Sequence, residues 1–154
     1  MARATGTKPI VENRRSRYDY ELLDRFEAGI VLTGTEVKSL REGRVTLAQA
    51  YADLRGQEAF LIGAEIAEYG HGNLANHEAT RDRKLLLRRD EISSLLGKVR
   101  EKGLTLVPTR MYFKDGKVKV EIAVARGKDK GDKRRTIADR EAKRQMERAL
   151  RTRR

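Results

Sequence analysis

Large apolar side chains run out well before the chain does. The last twenty-nine residues, RGKDKGDKRRTIADREAKRQMERALRTRR, hold 13 Lys or Arg against 5 Asp or Glu, no aromatic residue, and only Ile137, Met146 and Leu150 as large apolar side chains. Such a segment cannot build a core. The folded part must therefore be made from residues 9–125, with 1–8 as a flexible N-terminus and 126–154 as a basic appendage that is disordered alone.

The charge divides at the same place. Up to Ala125 there are 22 basic and 18 acidic residues, a net of +4, whereas the tail alone carries +8 of the chain's +12. With a pI near 10.2, that excess favours a nucleic-acid partner, because Lys and Arg displace counterions condensed on phosphate. An anionic membrane surface fits less well, since the tail lacks Trp, Phe and a broad Leu face. There is no Cys, hence no disulfide staple or thiolate metal site. No apolar run approaches a membrane span and MARATGTKPIV has no hydrophobic signal core, so the expectation is a soluble, cytoplasmic chain.

The body reads as a string of short strands with two helices. YDYELLDRFEAGIVLTG is strand-like, with Gly29 offering a bend or bulge. In TGTEVKSLREG, Thr33 and Glu36 have capping-box spacing, Val37 and Leu40 share a face, and Gly43 supplies the stop, which predicts a helix of about two turns. AYADLRGQEAFLIGAEIAEY reads as a hairpin around Arg55, Gly56 and Gln57; YGHGNLANHEATRDR reads as a long exposed loop; RKLLL is a short strand. RRDEISSLLGKVREKG places Ile92, Leu95, Leu96 and Val99 at helical spacing, with Asp90 as cap and Gly103 as exit. LTLVPTRMYF and KVKVEIAVA flank Asp115 and Gly116, a strong hairpin signal. The fold class expected is mostly β: a small antiparallel oligonucleotide-binding-like barrel, closed to remove exposed edges, with two or three packed helices.

Several stretches suit RNA. In ENRRSRYDYE, Arg14, Arg15 and Arg17 could clamp phosphates while Tyr20 or the Asn13 amide meets a base; the plain alternative is a solvated arm leading into a strand whose Tyr20 is core. Glu27 could accept hydrogen bonds from base amino groups or a 2′-hydroxyl. Lys117 and Lys119 alternate with Val118 and Val120, giving a strand with one cationic and one apolar face. Around the leucine run, read as packing, Arg81, Arg83, Lys84, Arg88 and Arg89 are candidate phosphate contacts. His71 and His77, near Glu68 and Glu78, lack a third ligand at supporting spacing, so neither a metal nor a cofactor is expected. No phosphate-cradling glycine motif or nucleophile elbow is present, which argues against an enzyme. In the tail, Ala138, Ala142, Met146 and Leu150 recur every four residues, Thr136 can cap with Asp139, and Asp139–Lys143 and Glu147–Arg151 can pair. This is a latent helix with too thin an apolar face to stand alone.

ENRRSRYDYE, FEAGIVLTGTEVKSLREG, RKLLL, GKVKVEIAVARGK and DKR, in this order and spacing over roughly residues 9–135, closely resemble the SsrA-binding proteins, or small protein B, of bacterial trans-translation. The resemblance implies a non-enzymatic barrel that binds the tRNA-like domain of transfer-messenger RNA and delivers it with elongation factor Tu to stalled ribosomes. It implies a tail that becomes helical in the empty mRNA channel. Matched by motif, Asn13, Glu27, Leu86 and Lys117 would be RNA-site positions, with Arg14, Arg15, Arg17, Tyr20, Lys84 and Lys119 alongside. Arg126, Lys128, Lys130, Asp132, Lys133, Arg134, Arg135, Lys143 and Arg144 would serve the tail at the decoding centre and in the channel. The chain departs from the family pattern at Gly131, where many members have His, at Asp129, commonly basic, and at Tyr18, frequently His. The competing readings from the residues are a structural ribosomal or ribosome-assembly protein and, with far less support, a metal-dependent nuclease using His71 and His77.

Overall fold

The computed structural model describes residues 6–70, 76–100, 104–128 and 140–150. Its elements are β1 (Thr7–Glu12), α1 (Arg14–Asp19), β2 (Tyr20–Ile30), α2 (Gly34–Arg41), β3 (Val45–Thr46), β4 (Tyr51–Arg55), β5 (Glu58–Ile62), β6 (Glu65–Ile66), β7 (Arg83–Leu86), α3 (Arg89–Arg100), β8 (Leu104–Lys114) and β9 (Lys117–Gly127). Residues 140–150 form a further helix, α4.

The main sheet runs β1-β8-β4-β5-β7-β2-β9, and an additional β8–β9 pairing joins its far strand back to β8. The ring is therefore closed through β8, β4, β5, β7, β2 and β9, all antiparallel, as the expected barrel requires. β8 is long enough to have two neighbours on one edge: β4 at Ala52↔Leu106 and β1 over Arg110–Lys114. β1 starts at Thr7, inside the segment expected to be loose, because Thr7 and Lys8 lie against Lys114 and Phe113.

Asp115 and Gly116, both at positive φ (51° and 80°), make the tight β8–β9 turn, and Gly56 (φ 63°) turns β4 into β5. Two bulges keep apolar residues inward. One follows Pro108, whose missing N–H cannot join the ladder; the register skips Thr109, and Met111 then faces in as Leu106 does. The other lies in β2 between Leu22 and Arg25, not at Gly29, which pairs regularly with Leu86 and Lys119. Ala28, Leu61, Leu85, Leu106, Met111, Val120, Ile122 and Val124 form the interior, joined by Leu40 of α2 and Leu95 of α3.

α2 forms where the capping box stands. The Thr33 N–H donates to Glu36 Oε1 at 2.9 Å, and Gly43 (φ 70°) closes the other end with its N–H on the Leu40 carbonyl at 3.0 Å. α3 begins at Arg89, two residues earlier than a cap at Asp90 implies, so Asp90 sits in its first turn, and the Arg88 N–H is held by Glu91 at 3.1 Å. Gly103, the expected exit, lies outside the described residues.

Arg83 is a correction. It is 0% exposed, as is Glu36, and its Nε donates to Glu36 Oε2. Its Nη1 donates to the Ala64 carbonyl and its Nη2 to the Ala79 carbonyl, each at 2.9 Å. Arg81 donates to the other carboxylate oxygen. The Arg83 guanidinium has no surface left for a phosphate; with Arg81 it fixes α2, β7 and the approach to β7. The loop before β7 is not simply exposed either. His77 is buried, its ring bonded to Thr35 and to the Ile66 carbonyl, and Asn76 ties back to Tyr69.

Burial opposes the charged form of Glu36, but hydrogen bonds from Arg81, the Thr33 N–H and Arg83 outweigh it and hold the carboxyl below its ordinary 4.5. A depressed carboxyl stabilises the fold above its unfolded pKa and loses that contribution as pH falls through the folded value. Glu36→Ala, which strands a buried guanidinium, should cost about 3–5 kcal/mol in urea unfolding at neutral pH. The loss should shrink as pH falls below the ordinary carboxyl value and through the lowered folded one; a cost under ~1 kcal/mol at pH 7 would contradict the role given to the pair.

Candidate RNA interface

The stretch NRRSRYD, for which no helix was expected, is the short helix α1, and Asn13 explains why it forms. The Asn13 N–H donates to the Thr109 carbonyl at 2.7 Å, and its Nδ2 donates to the carbonyls of Pro108 (2.9 Å) and Leu47 (3.2 Å). Ser16 then bonds the Asn13 carbonyl through Oγ at 2.6 Å. The β8 bulge thus presents carbonyls that Asn13 takes up while starting a helix. Its amide, only 9% exposed, is a bracket for α1 and does not present donors to a base.

α1 divides its arginines. Arg14 and Arg17 line a cleft of about 240 Å³ with Arg110 and Glu121, to which Arg140 and Arg144 of α4 also contribute. Arg15, held by Asp19 at 3.4 Å, and Tyr20 line a separate cleft of about 300 Å³ on the other side.

From the first cleft the outer face of the sheet continues across four strands. Register places Tyr112, Lys119, Gly29 and Leu86 in one row over β8, β9, β2 and β7. Arg110, Glu121 and Glu27 form the next row, and Lys114 and Lys117 pair beside the turn. Lys117, Lys119, Glu27 and Leu86 therefore converge, though they are far apart in sequence. Leu86 is 54% exposed, which corrects its reading as packing; Leu85 beside it is 2% exposed. Gly29 is needed below it, since a Cβ there would stand 3.2 Å from Leu86 Cβ. Leu86, Gly29 and Lys117–Lys119 border a shallow pocket. Lys84 is exposed on the same strand as Leu86 but engaged by Glu58 at 3.3 Å.

Glu27 is held from both sides. The Tyr112 hydroxyl donates to its Oε2, and Lys114 Nζ lies 3.2 and 3.3 Å from its two oxygens. The Tyr112 hydrogen bond foremost, then Lys114 and Lys119, hold the carboxyl below its ordinary value despite partial desolvation. Burial and the same hydrogen bond push the Tyr112 phenol up. Arg110 stacks over the Tyr112 ring at 4.7 Å, and its guanidinium meets Glu121 at 3.5 Å. Tyr112, Lys114, Arg110 and Glu121 were not identified from sequence as site residues. The Asp115–Gly116 turn was the available signal, since it fixes which β8 residues stand opposite Lys117 and Lys119.

The tail begins later than expected. Arg126 lies in β9, near Glu21 at 3.7 Å. The Lys128 N–H donates to the Asp19 carbonyl at 3.0 Å, and its Nζ to the Arg17 carbonyl at 2.9 Å, so it closes the C-terminal end of α1. Lys143 and Arg144 lie on α4, whose residues are exposed. Asp129, Lys130, Gly131, Asp132, Lys133, Arg134, Arg135 and the Thr136–Asp139 cap lie outside the described residues, as do His71 and Arg151. Among the described residues no group of three His, Cys, Asp or Glu could hold a metal, and no helix is long and apolar enough to cross a membrane.

A closed small barrel whose outer face combines lysines, arginines and an ordered carboxylate is that of an RNA-binding barrel protein. The family model described as SmpB protein matches residues 10–152, and the chain belongs to that family. The SsrA-binding protein of Thermobifida fusca is 56% identical over 149 residues, covering 97% of this chain and 93% of the relative. That of Symbiobacterium thermophilum is 56% identical over 155 residues, covering 99% and 98%. A solved chain from the work described as "tmRNA-SmpB: a journey to the center of the bacterial ribosome" is 50% identical, covers 78% of this chain and 85% of its own length, and superposes with a TM-score of 0.66.

The two adjacent leucines separate site from core. Leu85→Ala should cost about 2–5 kcal/mol in chemical denaturation. Leu86→Ala should leave stability within about 1 kcal/mol while weakening RNA binding; equal losses of stability would place both in the core.

Proposed function

We propose that this protein is the RNA-binding adaptor of trans-translation, holding the tRNA-like domain of transfer-messenger RNA on the outer face of β8, β9, β2 and β7 and carrying it to stalled ribosomes in the cytoplasm. The supporting observation is the convergence of Lys117, Lys119, Glu27 and Leu86, which the pairing of β7, β2 and β9 brings together. Lysines attract the backbone without regard to sequence, whereas a fixed carboxylate among them rejects phosphate and accepts only hydrogen-bond donors. Arg14 and Arg17 extend the face along α1. Elongation factor Tu would join the delivered complex, and no step requires chemistry on the protein.

The tail is assigned to the ribosome. Lys130, Lys133, Arg134 and Arg135 would meet rRNA near the decoding centre, and α4, with Lys143 and Arg144, would occupy the vacant mRNA channel. Since Lys128 still belongs to the barrel, the functional division falls after it rather than at Arg126.

Titration against the tRNA-like domain and against an ordinary tRNA, at two salt concentrations, tests this reading. A preference for the tRNA-like domain that survives higher salt is expected; equal affinities that fall together would leave phosphate attraction alone. Lys117→Ala with Lys119→Ala should reduce the slope of log K against log salt by about 2. A chain ending at Lys128 should retain most of its RNA affinity yet fail to support peptide tagging on stalled ribosomes.

A further inference from the structure

Tyr112 is only 4% exposed although its register sets it on the outer face. It is covered because it lies down. From β8 its hydroxyl reaches over β9 to Glu27 on β2, and the Arg110 guanidinium stacks on its ring. A carboxylate on a wet, cationic surface would ordinarily sample several rotamers and pair with whichever lysine is nearest. Here one oxygen accepts from a phenol whose own position is fixed by burial, and Lys114 spans both oxygens.

We propose that Tyr112 is a positioning residue for RNA recognition, locking the Glu27 carboxylate in one orientation so that its remaining lone pairs meet a hydrogen-bond donor of the RNA, a ribose 2′-hydroxyl or a base amino group. This rests on the reading of the outer face as the RNA site. The charged groups around Glu27 are Lys114 and Arg110 from β8 and Lys119 and Glu121 from β9, with Arg25 of β2 held 3.8 Å from Glu121; β7 contributes only apolar Leu86 at this point. Glu121 is occupied by Arg25, Arg110 and the Thr109 hydroxyl, which leaves Glu27 as the acceptor aimed at an incoming ligand.

Tyr112→Phe keeps the ring, its burial and the stacked arginine while deleting the donor. Binding of the tRNA-like domain to the full-length chain should weaken about five- to twentyfold at neutral pH, with little change in melting temperature. Loss of the phenol donor also lets the Glu27 carboxyl return toward its ordinary value, so the acid decline in affinity should begin at higher pH than in the wild type. Glu27→Gln supplies the baseline, because any acid decline it retains belongs to groups other than Glu27. In that background Tyr112→Phe should have no further effect. Multiplicative losses in the double variant, or an unchanged affinity and pH profile in Tyr112→Phe, would overturn the positioning role. An unaffected Glu27→Gln would instead overturn the RNA reading on which it rests.

Discussion

The buried pairing of Glu36 with Arg83 underlies the geometry of the barrel and of the face it carries. β7 is a narrow part of the ring: it meets β2 only at Gly29 and Ile30, and β5 over Ala59–Leu61. Little backbone bonding holds it in register. Arg83 compensates from inside, tying the first residue of β7 to the N-terminal turn of α2, to the Ala64 carbonyl ahead of β6 and to the Ala79 carbonyl of the segment before β7. Leu86 is three residues further along the same strand, so its place above Gly29 follows from where Arg83 is anchored. A buried ion pair is weak evidence for net stability, because desolvation offsets much of its attraction. Its contribution here is specificity of register, on which an exposed recognition surface depends.

Residues on that surface are sorted by strand parity. Inside, Val118, Val120, Ile122 and Val124 face Met111 and Leu106; outside, Lys117, Lys119 and Glu121 face Lys114, Tyr112 and Arg110. The bulge at Thr109 preserves this sorting by shifting phase where Pro108 interrupts the ladder. It also exposes carbonyls that Asn13 captures, and so brings α1 with its arginines to the edge of the same face. One proline thereby links core packing to the placement of a cationic helix.

Signals confined to a few neighbouring residues were legible in the sequence. The Thr33–Glu36 capping box, the Asp115–Gly116 and Gly56 turns, and the helical stripe of α3 each depend on contacts within one element. From them the barrel class followed, since consecutive hairpins must close or expose edges. What escaped depends on partners distant in sequence. Arg83 looks like any arginine in a basic stretch until Glu36, 47 residues away, is found beside it. Asn13 looks like a polar arm residue until Pro108 supplies a carbonyl, and Tyr112 like a barrel aromatic until Glu27 meets its hydroxyl. β1 escaped because TKPIVE, with a proline and two charges, carries little alternation and is a strand only because β8 offers an edge.

The two ends of the chain meet their physical demands differently. Discriminating one RNA from another requires donors and acceptors fixed in space, so the barrel devotes a buried ion pair, two bulges and a recumbent tyrosine to the position of a few side chains. α4 has no such support: Met146 and Leu150 are 70% and 65% exposed, and its stripe of Ala142, Met146 and Leu150 is too narrow to hold a short helix in water. An element of that kind gains structure from whatever surrounds it. A channel lined with phosphate would supply a field to draw the basic residues in and walls to favour the compact helical form, and neither requirement depends on a particular side-chain contact. At the end of β9 the opposite holds: Lys128 is fastened to the Asp19 and Arg17 carbonyls of α1, so the chain is held beside the arginines of that helix where the barrel ends.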